Sequence, residues 1–254
     1  MSSPRPLRIP ILTYHQIDEA PPKGANMRSL YVSPAAFNRQ MQILKWLGYT
    51  GLSMTELLPY IKGEKSGRVI GITFDDGYLN NLHHAAPILN KFRFSSTCYV
   101  VSDLIGGTNS WDEGIGVQSA VLMNEDELKE WMNAGQEIGS HTLGHNNLLK
   151  LGAEDARREI VGSKLALERR FGVDVHQFCY PYGDYDQSHV NLVKGAGYWA
   201  ATTTKRGRVM GLTAEQNADS TSLLELVRVP VVKSTSWLQF LLKIATAYED
   251  RHAL

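Results

Sequence analysis

Short apolar runs alternating with helical patterns, with polar residues gathered just past the ends of those runs, predict an α/β chain folded as an irregular (β/α) barrel of seven or eight strands. A length of 254 residues suits one such barrel, so the expectation is a single domain over residues 1–254. A doubly wound sheet would be favoured by a GxGxxG or P-loop fingerprint, and the sequence has neither.

Strand-like runs occur at RIPILTY (8–14), YTGL (49–52), VIGITF (69–74), SSTCYVV (95–101), EIGS (137–140), QFCY (177–180), YWAATT (198–203) and ELVRVPV (225–231). Most combine β-branched or aromatic residues with the short length of a buried strand. Ser33 followed by Pro34 opens a helix whose Phe37, Met41 and Leu44 share a face. Ser53 with Glu56, and Asn124 with Glu127, have the spacing of an N-terminal capping box. Longer helical patterns run across 78–92, 153–171 and 234–249. Trp131 and Trp237 read as helix packing, Trp199 as core packing on its strand, and His83 and His84 as solvated.

Composition narrows the function. Lys+Arg 26 against Asp+Glu 26 leaves no basic footprint for nucleic acid or an anionic membrane, so neither is an expected partner. Cys98 and Cys179 lie far apart in apolar surroundings and read as buried free thiols. The opening residues place prolines and polar groups where a signal peptide has its apolar region, and no later run reaches transmembrane length. The expectation is a cytoplasmic protein, or a periplasmic or extracellular one where a targeting segment has been removed. The oligomeric state is not legible.

Barrel enzymes build their sites at the carboxyl ends of the strands, and here those ends carry a coherent set. The first run ends at His15, the third at Asp75 and Asp76, the fifth at His141 with His145 four residues on, and the sixth at Pro181-Tyr182-Gly183. An HxxxH pair alone is ordinarily two surface histidines, and an isolated Asp-Asp is ordinarily a turn or cap. Together at one barrel rim they supply two imidazoles and a carboxylate, a facial set with open positions that suits Zn²⁺ or another divalent first-row ion such as Co²⁺, Ni²⁺ or Fe²⁺. Only one of the adjacent aspartates is needed as a ligand. The other is then free to take a proton from water activated by the ion.

The motifs TFDDG (73–77), HTLGH (141–145) and YPYG (180–183) resemble those of the polysaccharide deacetylase family, the NodB homology domain of the carbohydrate esterases. The resemblance extends over nearly the whole chain. It implies a metal-dependent hydrolase that removes N-acetyl groups from an aminosugar-containing glycan. In that reading Asp75 is the general base, Asp76, His141 and His145 are the metal ligands, and the Tyr182 backbone N–H helps to stabilise the oxyanion. The alternatives are a deformylase or deacetylase of a lipid-linked sugar and, in another class, a catalytically silent sugar-binding module.

Two positions depart from the family pattern. The arginine expected two residues before Pro181 is replaced by Cys179, and the last strand, LVRVPVV, lacks the usual late histidine. In a closed barrel the first and last strands are neighbours, so His15 is placed to serve as the acid. This resembles the permuted motif order of poly-β-1,6-N-acetylglucosamine deacetylases. Arg228, on the strand beside the first, is placed to supply the missing guanidinium and orient Asp75; a plain structural ion pair is an equal reading. The stretch 102–119 is long and glycine-rich for a connector. Trp111 there is expected to stack on a sugar ring and Asp112 to accept a hydroxyl hydrogen bond. Pro181, Tyr182 and Tyr185, with Asp184 and Asp186, are expected along the cleft, although turn chemistry accounts for the two aspartates nearly as well.

Overall fold

The computed structural model describes residues 8–212 and 220–252. Residues 1–7 of the amino-terminal segment read for targeting lie outside them. Eight parallel strands form the centre: β1 (Ile11–Tyr14), β2 (Thr50–Leu52), β3 (Val69–Phe74), β4 (Thr97–Val100), β5 (Glu137–Ser140), β6 (Gln177–Cys179), β7 (Ala200–Arg206) and β8 (Leu226–Pro230). Seven of them close in the order β1-β8-β7-β6-β5-β4-β3, and β3 returns to β1 through Ile11↔Gly71 to Tyr14↔Phe74. The eighth strand, β2, explains why the barrel is irregular. It pairs with the lower half of β3 (Thr50↔Val69 to Leu52↔Gly71), on the same edge whose upper half pairs with β4 (Thr73↔Thr97). β2 is therefore a wedge at the bottom of the barrel.

The helices are α1 (Pro34–Trp46), α2 (Met54–Ile61), α3 (Ala86–Phe92), α4 (Glu125–Asn133), α5 (Ala153–Phe171), α6 (Gln187–Gly195) and α7 (Trp237–Ala245). Ser33 Oγ accepts the Ala36 N–H at the start of α1, and Asn124 with Glu127 forms a full capping box on α4. The sequence pattern missed α6, because its capping box is closed by Asp186 and His189 rather than by a glutamate or glutamine. It extended α7 too far at both ends, and it read the helix after β3 as one uninterrupted element. There a π-helical turn, Asn81–Ala85, precedes α3. The first run also divides: Arg8–Ile9 forms an antiparallel ribbon with Val209–Met210, apart from β1.

Side-chain alternation sorts the core into two layers. Leu12, Tyr14, Ile70, Ile72, Phe74, Phe178 and Val229 join the larger cluster between the barrel and its helices. Ile11, Tyr99, Cys179, Ala200 and Leu226 join a second cluster with Met54, Leu57, Leu58 and Ile61 of α2, which plugs the barrel interior from below. Gly71 is needed for that plug, since a Cβ there would lie 2.8 Å from Leu57 Cδ2. With the lower end sealed, the opposite rim is free for chemistry. Both cysteines are buried free thiols, as expected. Trp131 is fully buried, but Trp237 is 65% and Trp199 49% exposed, so the packing roles read for these two are corrected. Trp199 instead stacks flat on His176. No described helix is long and apolar enough to cross a membrane.

Candidate active site

The period-2 pattern of β3 carries past its end and decides where the two aspartates go. Thr73 faces the barrel interior, and Asp75, two residues on, continues that face; its N–H donates to Tyr14 O at 3.0 Å. Asp76 then takes a φ of 76° and Gly77 one of 83°. Two successive left-handed residues reverse the chain, so the neighbouring carboxylates diverge. Thr142 (φ 65°), His145 (φ 59°) and Tyr182 (φ 60°) are left-handed as well. Among the described residues, four of the six non-glycine residues of this kind thus fall in the three motifs, and conformations of that cost persist where the surroundings enforce them. Gly183 allows the third motif its turn, because a Cβ there would lie 1.8 Å from Thr204 Oγ1.

Asp76, His141 and His145 converge. His141 Nε2 and His145 Nε2 each lie 3.4 Å from Asp76 Oδ1, and all three residues are buried. The His141 Nδ1–H donates to Cys179 O at 2.8 Å, which orients Nε2 toward the carboxylate. His145 is sandwiched: Trp111 stacks on its ring at 4.4 Å between centroids, and its Nδ1 lies 3.2 Å from Tyr182 Oη. One carboxylate oxygen and two imidazole nitrogens within 4.8 Å of one another fit a divalent ion.

Asp75, His141 and Cys179 meet the same spacing criterion. A positive charge already serves that corner. Arg228, 2% exposed, clamps Asp75 with Nη1 to Oδ1 at 2.6 Å and Nη2 to Oδ2 at 2.7 Å, and its Nη2 also lies 3.3 Å from Cys179 Sγ. A cation beside this guanidinium would be repelled, which makes the trio around Asp76 the better candidate ion position of the two. Burial alone would raise the Asp75 carboxyl, but the charge and paired hydrogen bonds of Arg228 hold it below the usual carboxylate range. His15 Nε2 stands 3.9 Å from Asp75 Oδ2. The carboxylate therefore has a guanidinium behind it and an imidazole at its open side.

Two residues that sequence reasoning did not single out hold this arrangement. Glu159 of α5, 5% exposed, accepts the Leu143 and Gly144 N–H groups at 2.9 and 3.0 Å and the Asn146 side-chain N–H at 2.8 Å, clamping the HTLGH loop from outside. Asn81, fully buried, accepts the Ile17 N–H and donates to His15 O at 2.7 Å. A carboxylate inside the apolar periodicity of a helix was the available signal for Glu159; Asn81 had none. Glu159→Gln, which keeps the shape but weakens the clamp, is expected to lower divalent-ion affinity about 10- to 100-fold, read by competition with a chromogenic chelator.

The remaining expected residues separate. Trp111, His145, Tyr182 and Asp184 line a cavity of about 550 Å³ beside the candidate ion position. One ring face of Trp111 already rests on His145, and Asp112 accepts a hydrogen bond from Asn109 at 3.2 Å. Pro181 is buried beneath the third motif. Tyr185 turns elsewhere, stacking on Tyr180 and donating to Glu225 at 2.8 Å, and is not part of the cavity lining. Asp186 caps α6.

Comparison with known proteins points the same way as the geometry. Residues 62–201 match the polysaccharide deacetylase family model. YxkH of Bacillus subtilis (strain 168), named for that family, is 28% identical over 205 residues, covering 80% of this chain and 67% of the relative. The poly-β-1,6-N-acetyl-D-glucosamine N-deacetylase of Staphylococcus aureus (strain MSSA476) is 25% identical over 205 residues, covering 73% of this chain and 68% of the relative. Among solved structures, the Streptococcus pyogenes deacetylase PplD in complex with acetate superposes with a TM-score of 0.78 at 25% identity, covering 94% of this chain and 99% of that one. BC0361, a polysaccharide deacetylase from Bacillus cereus, gives 0.77 at 31% identity, covering 94% of this chain and 69% of that one. With its motifs gathered at one barrel rim and more than half its length matched by the family model, this chain belongs to the polysaccharide deacetylase family and is a carbohydrate deacetylase.

Proposed function

We propose that this deacetylase hydrolyses the N-acetyl group of an aminosugar within a glycan, using a divalent ion held by Asp76, His141 and His145, with Asp75 as base and His15 as acid. The observation that carries this reading is Asp75 itself, clamped through both oxygens by Arg228 and facing His15 at 3.9 Å beside the three ligand side chains. The name of the S. aureus relative supports a hexosamine polymer as substrate.

A bound divalent ion supplies Lewis acidity, which makes water acidic enough to lose a proton near neutral pH and polarises a carbonyl. Asp75 takes the proton of the attacking water as the new C–O bond forms. The Tyr182 N–H donates to the oxyanion of the tetrahedral intermediate, a contribution of about 10²- to 10³-fold for a donor of this kind. His15 gives its proton to the nitrogen as the C–N bond breaks, so that acetate leaves and a free amine remains on the sugar. Zinc is the first choice of ion for a donor set of two imidazoles and one carboxylate.

An acetate-release screen over β-1,6-linked and β-1,4-linked N-acetylglucosamine oligomers, peptidoglycan fragments and lipid-linked aminosugars tests the reading. Acetate release that a chelator abolishes and added Zn²⁺ restores is expected; release untouched by chelation would remove the ion from the scheme. Release confined to the lipid-linked substrates would replace the polymer with that class. His15→Gln is expected to slow the best substrate by about 10²- to 10⁴-fold, and a loss under about tenfold would take the acid role from His15.

A further inference from the structure

The two most exposed tryptophans, Trp46 (83%) and Trp237 (65%), line one groove of about 780 Å³ that runs down the outer face of α1 and along the start of α7. It is larger than the cavity beside the candidate ion position, and the mechanism above makes no use of it. The larger part of its lining surface is apolar, with the polar side chains of Ser33, Arg39, Gln40, Gln42, Lys233, Thr235 and Ser236 set among the indoles. The side chains of Arg39, Gln42 and Lys233 have no protein hydrogen-bond or ion-pair partner among the described residues, and no carboxylate lines the groove. Ser33 and Lys233, at one end of it, belong to the segments that follow β1 and β8, on the side of the barrel that carries the three motifs. Ser33 follows the Tyr31–Val32 strand that pairs with Gln16–Ile17 directly after His15, and Lys233 N–H donates to Ser29 O at 2.9 Å.

We propose that this groove is a second glycan-binding site, selective for N-acetylated over deacetylated chains. The inference rests on the proposed N-deacetylation only for its choice of ligand. Indole faces pack on the apolar C–H faces of pyranose rings, while guanidinium, amide and ammonium groups serve the hydroxyl and acetyl oxygens around them; that mixture lines this groove. Charge sets the selectivity. Arg39 and Lys233 tolerate a neutral acetamide and repel the ammonium group that each deacetylation creates. A polymer held here while unreacted, and released as product amines accumulate, would bring successive acetylated stretches to the catalytic rim. The rival occupant is a lipid surface, because Leu238 and Leu242 extend the exposed apolar face of α7. The unpartnered polar groups within the groove favour the glycan.

The test uses the intact protein with long and dimeric β-1,6- and β-1,4-linked N-acetylglucosamine chains, their fully deacetylated counterparts, and anionic phospholipid vesicles. Trp46→Ala/Trp237→Ala is expected to weaken binding to long acetylated chains at least about tenfold, raise KM on them correspondingly, and leave kcat and turnover of the dimer unchanged. Arg39→Glu/Lys233→Glu is expected to shift binding toward the deacetylated chains. Undiminished binding of acetylated chains by the double tryptophan variant overturns the proposal. So does wild-type preference for deacetylated chains, or a tryptophan-dependent affinity for vesicles alone. A wild-type protein that binds acetylated chains through these tryptophans yet releases no acetate would sink the catalytic reading and leave the groove standing.

Discussion

Asp75→Asn is expected to cut acetate release by about 10²- to 10⁴-fold while the protein still takes up a stoichiometric divalent ion. The substitution keeps the volume and one acceptor oxygen of the side chain and removes its ability to accept a proton from water. Asp76, His141 and His145 do not depend on Asp75 for their convergence, since His141 is oriented by Cys179 O and His145 by its contacts with Trp111 and Tyr182. Metal content measured by mass spectrometry should therefore match wild type. The complementary change, Asp76→Asn, should lose the ion. If the two variants exchange behaviours, with the ion lost from Asp75→Asn, the division of labour between the aspartates is reversed.

Arg228→Met is expected to be costly in stability and in activity at once. The guanidinium and the Asp75 carboxylate are both buried and joined by two hydrogen bonds of 2.6 and 2.7 Å. Removing one partner leaves an uncompensated charge in the barrel mouth, a loss typically of about 3–5 kcal/mol. The loss should depend on pH in a definite direction. In the native protein the Asp75 carboxyl lies below its ordinary value, because Arg228 more than offsets burial, so the pair contributes fully above about pH 4 and progressively less as pH falls through the lowered native value. In the variant, burial is opposed only by the neighbouring His15 and His141, and the carboxyl rises. The stability gap between the two proteins, measured by urea unfolding, should then be widest near neutral pH and close on acidification. A gap that stays constant across that range would mean that the charge pair is not its source.

The positions of His15 and Arg228 show how far the linear chain carried. A parallel barrel makes its first and last strands neighbours, and the observed pairing of Val229 with Leu12 and Pro230 with Thr13 satisfies that condition. The motif-three arginine is absent from β6, and a guanidinium comes to Asp75 from β8 through the space left by the small Cys179 side chain. The sequence could name Arg228 as one of two equal readings. Only the packed barrel, which points alternate residues of β3, β6 and β8 into one mouth, shows the clamp.

Local chemistry wrote much of this protein into its sequence. The apolar runs specified the barrel strands to within a few residues, the caps at Ser33 and Asn124 marked helix starts, and the aspartate and histidine motifs identified the chemical centre, because each of these depends on neighbours close in the chain. What folding alone decided involves residues far apart in sequence and adjacent in space. Glu159 reaches back to the HTLGH loop from a following helix, Asn81 ties down the backbone around His15, and Trp46 and Trp237, some 190 residues apart, face one groove. The wedge position of β2 and the plug formed by α2 belong to the same class. No periodicity encodes them, since they follow from which surfaces are left to bury once the strands have paired.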